Sequence, residues 1–309
     1  MGTSVTARIL DTCRVVVLDT FERDSLARSG LAGHPNLTVI KGDVRDLDCV
    51  SEAVREADYV LHMAAIAGVG TVVSHPARTL QINLAGTQNV LDAIQSRGGV
   101  RRFVDFSTSE VYGPQVFRAT ETGMTTQGSV YEPRWFYAVS KLASEFLTRG
   151  YHIEFGLPTA CIRPFNVYGP GQLGEGAVRN FVLRALADEP LTVHGEGEQI
   201  RSWCFIDDMV DAILACLTID DAVGRHFNIG NPRATTSTLE LARAVVRLSG
   251  SKSKILMQEI AYPDVEVRVP SIKEAEQHLG FDPKVDMEEG LLRTIVWYRE
   301  QGLSGECAS

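Results

Sequence analysis

The sequence predicts an α/β fold: a doubly wound parallel sheet joined to a smaller, discontinuous lobe that the C-terminal third mainly supplies. Three observations carry this reading. Short apolar runs recur at 14–19, 39–44, 59–65 and 102–107 in an alternating strand–helix pattern, which calls for a parallel sheet. Acids and hydroxyls (Asp19, Asp43, Ser107, Thr108) stand at the ends of those runs, where an open parallel sheet binds its ligands. From Gly169 onward the chain leaves the simple alternating strand–helix pattern.

Bulk properties narrow the class. A chain of 309 residues buries a sizeable core, and 44% hydrophobic with 22% charged residues is ordinary for a globular protein. A net charge of -9 argues against nucleic acid as a partner. No apolar run has membrane-span length and no signal-peptide pattern opens the chain, so the expected location is the cytoplasm, with no membrane partner. Cys13, Cys49, Cys161, Cys204, Cys216 and Cys307 show no C-x-x-C spacing. They read as reduced, mostly buried small residues, with no metal expected.

The chemistry centres on Tyr137-Ala138-Val139-Ser140-Lys141. Tyr and Lys four apart on a helix share a face, one turn from each other. An ammonium that close favours phenolate over phenol, so the tyrosine's pKa is expected to fall towards neutrality. Such a tyrosine is a usable general acid/base for interconverting an alcohol and a ketone. Upstream, Arg102-Phe103-Val104-Asp105-Phe106 reads as a short buried strand that runs into Ser107-Thr108-Ser109-Glu110-Val111-Tyr112-Gly113.

These two stretches, with Ile162-Arg163-Pro164-Phe165-Asn166-Val167-Tyr168-Gly169-Pro170 and Gly195-Glu196-Gly197-Glu198-Gln199-Ile200-Arg201, resemble the extended short-chain dehydrogenases/reductases that modify nucleotide sugars, the NAD-dependent epimerase/dehydratase group. Each motif alone is weak; four in the family's order, within about 19–300, are specific. The resemblance implies a Rossmann-type domain over 1–168 that holds NAD. It implies a substrate lobe over 169–309, with 203–231 returning to the Rossmann part, and a homodimer packed through the helix at 83–91 and the one carrying Tyr137.

One departure stands at the beginning. The family opens with a buried strand and a glycine-rich turn that admits the cofactor pyrophosphate to a helix N-terminus. Here the second strand, at 14–19, arrives almost at once, and Gly2 falls near the place of the motif's last glycine. The expectation is that the first strand and most of the phosphate loop are missing, with 4–12 the remains of the first helix. Either the true start lies upstream, or the cofactor grip is impaired. The second and fourth strands would then face a gap, or pair directly.

By resemblance Asp19 suits the ribose diol of NAD and repels the 2′-phosphate of NADP. Asp43 and Val44 flank the adenine, Ala64 and Ala65 let backbone lie against the cofactor, Ser107 lies at the strand end beside it, and Pro164 backs the nicotinamide. His62 reads as a core residue. Tyr137 is the acid/base, Lys141 its tuner and ribose ligand, and Thr108 a hydrogen-bond partner of the same sugar oxygen. Ser109, Asn166, Arg201 and Arg268 are the candidate sugar-nucleotide ligands. The stretch 114–134 reads as a long loop, 180–187 as an amphipathic helix, Leu191–His194 as a strand, and 274–279 and Met287–Glu300 as closing helices. The tail from Gly302 reads as disordered.

The implied activity runs through a 4-keto sugar, on a UDP-sugar. That intermediate can be reduced from its other face, lose water, or lose carbon dioxide. Glu110 tilts the expectation towards dehydration or decarboxylation, since Thr108-Ser109-Glu110 is similar to the run in sugar-nucleotide decarboxylases and one dehydratase branch; Glu110 could instead cap the following turn. Plain 4-epimerisation of a UDP-hexose or UDP-hexuronate is the alternative. From another class comes a cofactor-impaired sugar-nucleotide-binding protein.

Overall fold

The computed structural model describes residues 1–259 and 265–303. Helix α1 (Gly2–Ile9) is followed by strands β1 (Val15–Asp19) and β2 (Leu37–Lys41), helix α2 (Leu47–Val54) and strand β3 (Tyr59–His62). Helices α3 (Val69–Ser74) and α4 (Pro76–Leu80) lead through a π-type turn at Gln81–Ala85 into α5 (Gly86–Ser96), and then comes strand β4 (Arg102–Phe106). Strand β5 (Gln115–Ala119), the long helix α6 (Trp135–Phe155), and strands β6 (Thr159–Pro164) and β7 (Val167–Tyr168) come next. The remainder comprises α7 (Ala177–Leu186), β8 (Leu191–His194), β9 (Ile200–Ser202), β10 (Cys204–Phe205), α8 (Ile206–Thr218), β11 (Arg225–Ile229) and β12 (Thr235–Ser237). Helix α9 (Thr238–Ser249), β13 (Ile255–Gln258), β14 (Val267–Pro270), α10 (Lys273–Leu279) and α11 (Met287–Glu300) close the chain.

The main sheet is parallel, in the order β11-β6-β4-β3, with β1 and β2 forming a separate parallel pair. Among the described residues β1 pairs only with β2 and β3 only with β4. The second strand and the strand at 59–62 are therefore not joined directly, and each keeps one unpaired edge. Beyond the main sheet, β12-β9-β14-β5 form a mixed sheet, and β8–β13 and β7–β10 form parallel pairs.

Strand β4 shows how helices come to cover both faces. Its side chains alternate. Val104 and Phe106 join one apolar cluster with Met209, Val210 and Ile213 of α8, while Phe103 joins another with Val90, Leu91 and Ile94 of α5. Asp105 shares the Phe103 face, on the side of α5 and α6. Helix α6 approaches closely because buried Ser140 and Ser144 replace bulk with hydroxyls: Asn83 Nδ2 donates to Ser140 Oγ at 2.9 Å, and Thr87 Oγ1 donates to Ser144 Oγ at 3.2 Å. Gly156, at φ 69°, ends the helix in the left-handed region that glycine takes without strain.

Two sequence expectations change. Strand β5 lies inside the stretch read as a long loop, because its ladder partner β14 is remote in sequence and invisible to local pattern. Gly302 and Leu303 are ordered against α11, the Leu303 N–H bonding the Tyr298 carbonyl at 3.2 Å; 304–309, with Cys307, lie outside the described residues. Cys161, Cys204 and Cys216 are buried, whereas Cys13 and Cys49 reach solvent. Among the described residues no helix is long and apolar enough to cross a membrane.

Candidate active site

The carboxyl end of β4 delivers the first part of the site. Thr108 caps a single turn at Ser109–Tyr112, its Oγ1 accepting the Glu110 N–H at 3.2 Å. Gly113 leaves that turn at φ 82°, and a Cβ there would meet the Thr126 carbonyl oxygen at 2.9 Å, so only glycine fits. Ser107, Thr108 and Ser109 are buried here, and the Glu110 side chain stays partly exposed. Helix α6 supplies the second part. Tyr137 lies half-buried in its first turn, with the Thr108 hydroxyl near enough to its own to pull its pKa down against the rise that burial causes.

Two arginines face Glu110. Arg268, from β14, stands 3.5 Å from its carboxylate and also donates to the Gly113 carbonyl at 3.4 Å. Arg134, one turn before Tyr137, stands 3.9 Å from the same carboxylate oxygen. Both guanidinium side chains are buried, and the Arg134 guanidinium also lies over the Trp135 ring. The Glu110 carboxylate is thus the meeting point of three segments.

Lys141 is buried, and its ammonium lies 3.6 Å from Asp105 Oδ1. This corrects the expected tuning of Tyr137. Burial pushes the tyrosine's pKa up, the carboxylates of Glu110 and Asp105 push it further, and the Thr108 hydrogen bond and Arg268 pull the other way. Burial is the main reason, and Asp105, which stands against the ammonium, adds to it.

The remaining predicted residues scatter around this centre. Asp19, at the end of β1, accepts the Phe21 N–H at 2.8 Å. Asp43 is forked by Arg45 at 2.6 Å, which holds its carboxyl below the usual range. Val44 is buried, and its carbonyl accepts from Asn89 at 2.9 Å. Ala64 and Ala65 follow the end of β3, and Pro164 ends β6. Asn166, at φ 36°, donates to the Ser202 carbonyl at 2.9 Å. Arg201, on β9 in register with Arg268, donates to the Ile200 carbonyl at 3.1 Å and to those of Val265 and Glu266. His62 is buried, with Nε2 3.0 Å from Thr87 Oγ1. Sequence reasoning missed Arg134 and Asp105. The i−3 spacing of Arg134 from Tyr137 was a usable signal; Asp105 had none before strand register was known.

Glu145, Cys161 and His226 also converge, but Arg163 forks both Glu145 oxygens at 2.8 and 2.6 Å and occupies that carboxylate.

The comparisons with known proteins decide the family. The NAD-dependent epimerase/dehydratase family profile matches residues 1–230. The chain belongs to the NAD-dependent epimerase/dehydratase family. It is 33% identical to a UDP-N-acetyl-alpha-D-glucosaminuronate decarboxylase of Bacillus cytotoxicus, over 93% of this chain and 90% of that protein. It is 31% identical to a dTDP-glucose 4,6-dehydratase of Xanthomonas campestris, over 92% of this chain and 86% of that one. Among solved structures it superposes on the UDP-glucuronic acid 4-epimerase of Bacillus cereus, in complex with UDP-glucuronic acid and NAD, with a TM-score of 0.88 and 26% identity over 97% and 96% of the two chains. The protein is accordingly an NAD-dependent enzyme with the Rossmann-type fold of this family, whose relatives run three reactions: decarboxylation, dehydration and epimerisation.

The residues present fit the nicotinamide–ribose end of such a cofactor. Ser107 Oγ is buried at the end of β4 and has no hydrogen-bond partner among the described residues, which is an open acceptor and donor two residues after Asp105, the partner of Lys141. At the adenosine end, Asp19 closes β1, and among the described residues its second carboxylate oxygen has no hydrogen-bond partner, which suits a diol.

Proposed function

We propose that the enzyme acts on a UDP-sugar through a 4-keto intermediate, and that dehydration or decarboxylation, rather than plain 4-epimerisation, is the outcome. The observation that carries this is Glu110 held between Arg268 and Arg134 beside Thr108 and Tyr137. Taking a proton from the C4 hydroxyl needs Tyr137 and Thr108 alone. A carboxylate with two guanidinium partners is more than that step requires. It suits a second proton transfer next to the ketone, or, through the arginines, a sugar that bears its own carboxylate. Plain epimerisation of a UDP-hexose or UDP-hexuronate remains the second reading, favoured by the close superposition on the 4-epimerase.

In this reading Tyr137 takes the C4 hydroxyl proton when ionised, against the burial that raises its pKa, Thr108 holds the same oxygen, and Lys141 holds the ribose diol. NAD, when bound, supplies the acceptor for the C4 hydride. Asp19 binds the adenosine ribose, Asp43 and Val44 flank the adenine, Ala64, Ala65 and Ser107 line the cofactor, and Pro164 backs its ring. Ser109, Asn166, Arg201 and Arg268 grip the sugar nucleotide. Residues 1–168 form the cofactor part; 169–309 form mainly the substrate lobe, with 203–231 returning to the first. We assign the exposed stripe Val139, Phe146 and Ile153 on α6, seven residues apart and with Phe146 and Ile153 each 70% exposed, to a homodimer contact.

The test is to incubate the protein with NAD and a panel of sugar nucleotides and weigh the products. Loss of water or of carbon dioxide supports the reading; an isomer of unchanged mass replaces it with epimerisation. Tyr137→Phe serves as control and should lower turnover by about 100-fold or more, the scale of losing a general acid/base, while sugar-nucleotide binding survives.

A further inference from the structure

Strand register draws four titratable side chains into one row across the main sheet. His62 pairs with Asp105, Asp105 with Cys161, and Cys161 with His226. Helix α6 faces this row with Lys141 and Glu145, one turn apart. Glu145 is neutralised by the Arg163 fork. Lys141, 2% exposed, has Asp105, 0% exposed, at 3.6 Å. That is ion-pair distance but longer than a hydrogen bond, and neither Asp105 oxygen accepts a hydrogen bond among the described residues.

Such an arrangement is a poor device for stability. A buried ion pair repays its desolvation only with good geometry and satisfied lone pairs, and an apolar pair of similar volume would pack there at lower cost. Its value lies in what it does to its neighbour. We propose that Asp105 is a positioning residue for the reaction: it fixes the Lys141 ammonium one helical turn from Tyr137 and sets how strongly that ammonium favours the ionised tyrosine. The ammonium has three N–H donors, so Asp105 leaves it donors for a third acceptor.

The groups around Asp105 leave this pair as the uncancelled charges of the row. His62, from β3, is held neutral by burial, and Cys161, from β6, is held as the thiol. Glu145 on α6 is matched by Arg163 on β6. His226, from β11, lies 3.9 Å from the Glu145 carboxylate, and burial lowers its pKa. Tyr137, on α6, additionally faces Glu110 and Arg268. Burial and the Glu145 carboxylate raise the pKa of Asp105 itself, and the Lys141 ammonium opposes them. Replacing Asp105 by Asn keeps the volume and removes the charge that the carboxylate carries opposite the ammonium. The ammonium's field then reaches Tyr137 undiminished.

The proposal rests on Tyr137 as the acid/base, and its test is independent of substrate, so it fails separately from the product assay. The full chain is made with 3,5-difluorotyrosine at position 137, whose lower intrinsic pKa brings titration into the range where the fold survives. The 19F signal then reports that one side chain. In Asp105→Asn the midpoint should fall by about one pH unit, the scale of removing a charge roughly a helical turn away at an effective dielectric of about 20. A purely structural role would move the melting temperature and leave the midpoint in place, and that result overturns the proposal. In a Lys141→Met background the same Asp105→Asn change should move the midpoint far less, because the effect runs through the ammonium; an equal shift there overturns the proposal. If Asp105→Asn does not fold, Asp105→Ser, smaller and equally uncharged, is read in the same way.

Discussion

The carboxylate of Glu110 lies 3.5 Å from the guanidinium of Arg268. The first residue belongs to the turn after β4 and the second to β14, so this contact ties the C-terminal mixed sheet to the turn that holds Thr108. It also balances charge beside the candidate acid/base, since Glu110 raises the tyrosine's pKa and Arg268 lowers it.

Removing Arg268 should therefore discriminate between substrates. Arg268→Ala takes away a buried cation that a sugar carboxylate would meet. Hydrogen bonds to charged groups contribute about 1.5–3 kcal/mol, so a UDP-hexuronate should bind roughly 10- to 100-fold more weakly to the variant. A neutral UDP-hexose should lose much less. Calorimetric titration of both ligands checks this; equal losses would remove the arginine from carboxylate recognition.

The sequence made the site's centre legible because that centre is local. Tyr137 and Lys141 share a helix face by spacing alone, and Thr108 and Glu110 follow a recognisable strand. What stayed hidden depends on register and long-range pairing. Asp105 reads as one polar residue in an apolar run until β3, β4 and β6 are aligned. The strand at Gln115–Ala119 has no local signature strong enough to stand without β14. Tyr137 and Lys141 predicted a lowered tyrosine pKa by proximity, but burial and two carboxylates, one of them opposite the ammonium, outweigh it.

Asp19 makes a cofactor prediction. Its carboxylate ends β1 and is fixed by the Phe21 N–H at 2.8 Å, so it presents a set negative charge. A 2′-phosphate brought there meets like-charge repulsion, whereas a free diol finds acceptors. NAD should bind more tightly than NADP, and Asp19→Ala should narrow the ratio by about tenfold. Calorimetry with both cofactors decides; an unchanged ratio takes Asp19 out of this role.

The Arg163–Glu145 pair makes a stability prediction. Arg163 forks both Glu145 oxygens and also donates to the Tyr112 hydroxyl at 2.6 Å, which in turn donates to Asn228 at 2.8 Å. Arg163→Met leaves a buried carboxylate uncompensated, which costs about 3–5 kcal/mol. Arg163→Met/Glu145→Leu should recover much of that loss, because the double variant strands no charge. Urea unfolding of both variants tests it. A double variant no more stable than the single one would mean that the loss comes from the Tyr112 and Asn228 network instead.

His62 makes a prediction about acid. Burial pushes its pKa down to about 3, and the Lys141 ammonium adds to the fall. The unfolded chain carries an ordinary histidine near 6.5, so between about 6.5 and about 3 the unfolded state binds the extra proton. Stability therefore rises with pH across that window and is lost as the solution is acidified, by about 1.4 kcal/mol per pH unit. His62→Gln keeps a side-chain donor for Thr87 but has nothing to titrate. Between pH 7 and pH 5 the wild type should lose about 2 kcal/mol more than the variant. Other groups, His226 among them, titrate in both proteins and cancel in the difference. Urea unfolding of the pair at the two pH values gives the number. Parallel losses would show that the His62 imidazole accepts its proton inside the fold as readily as in water, against its burial and its neighbouring ammonium.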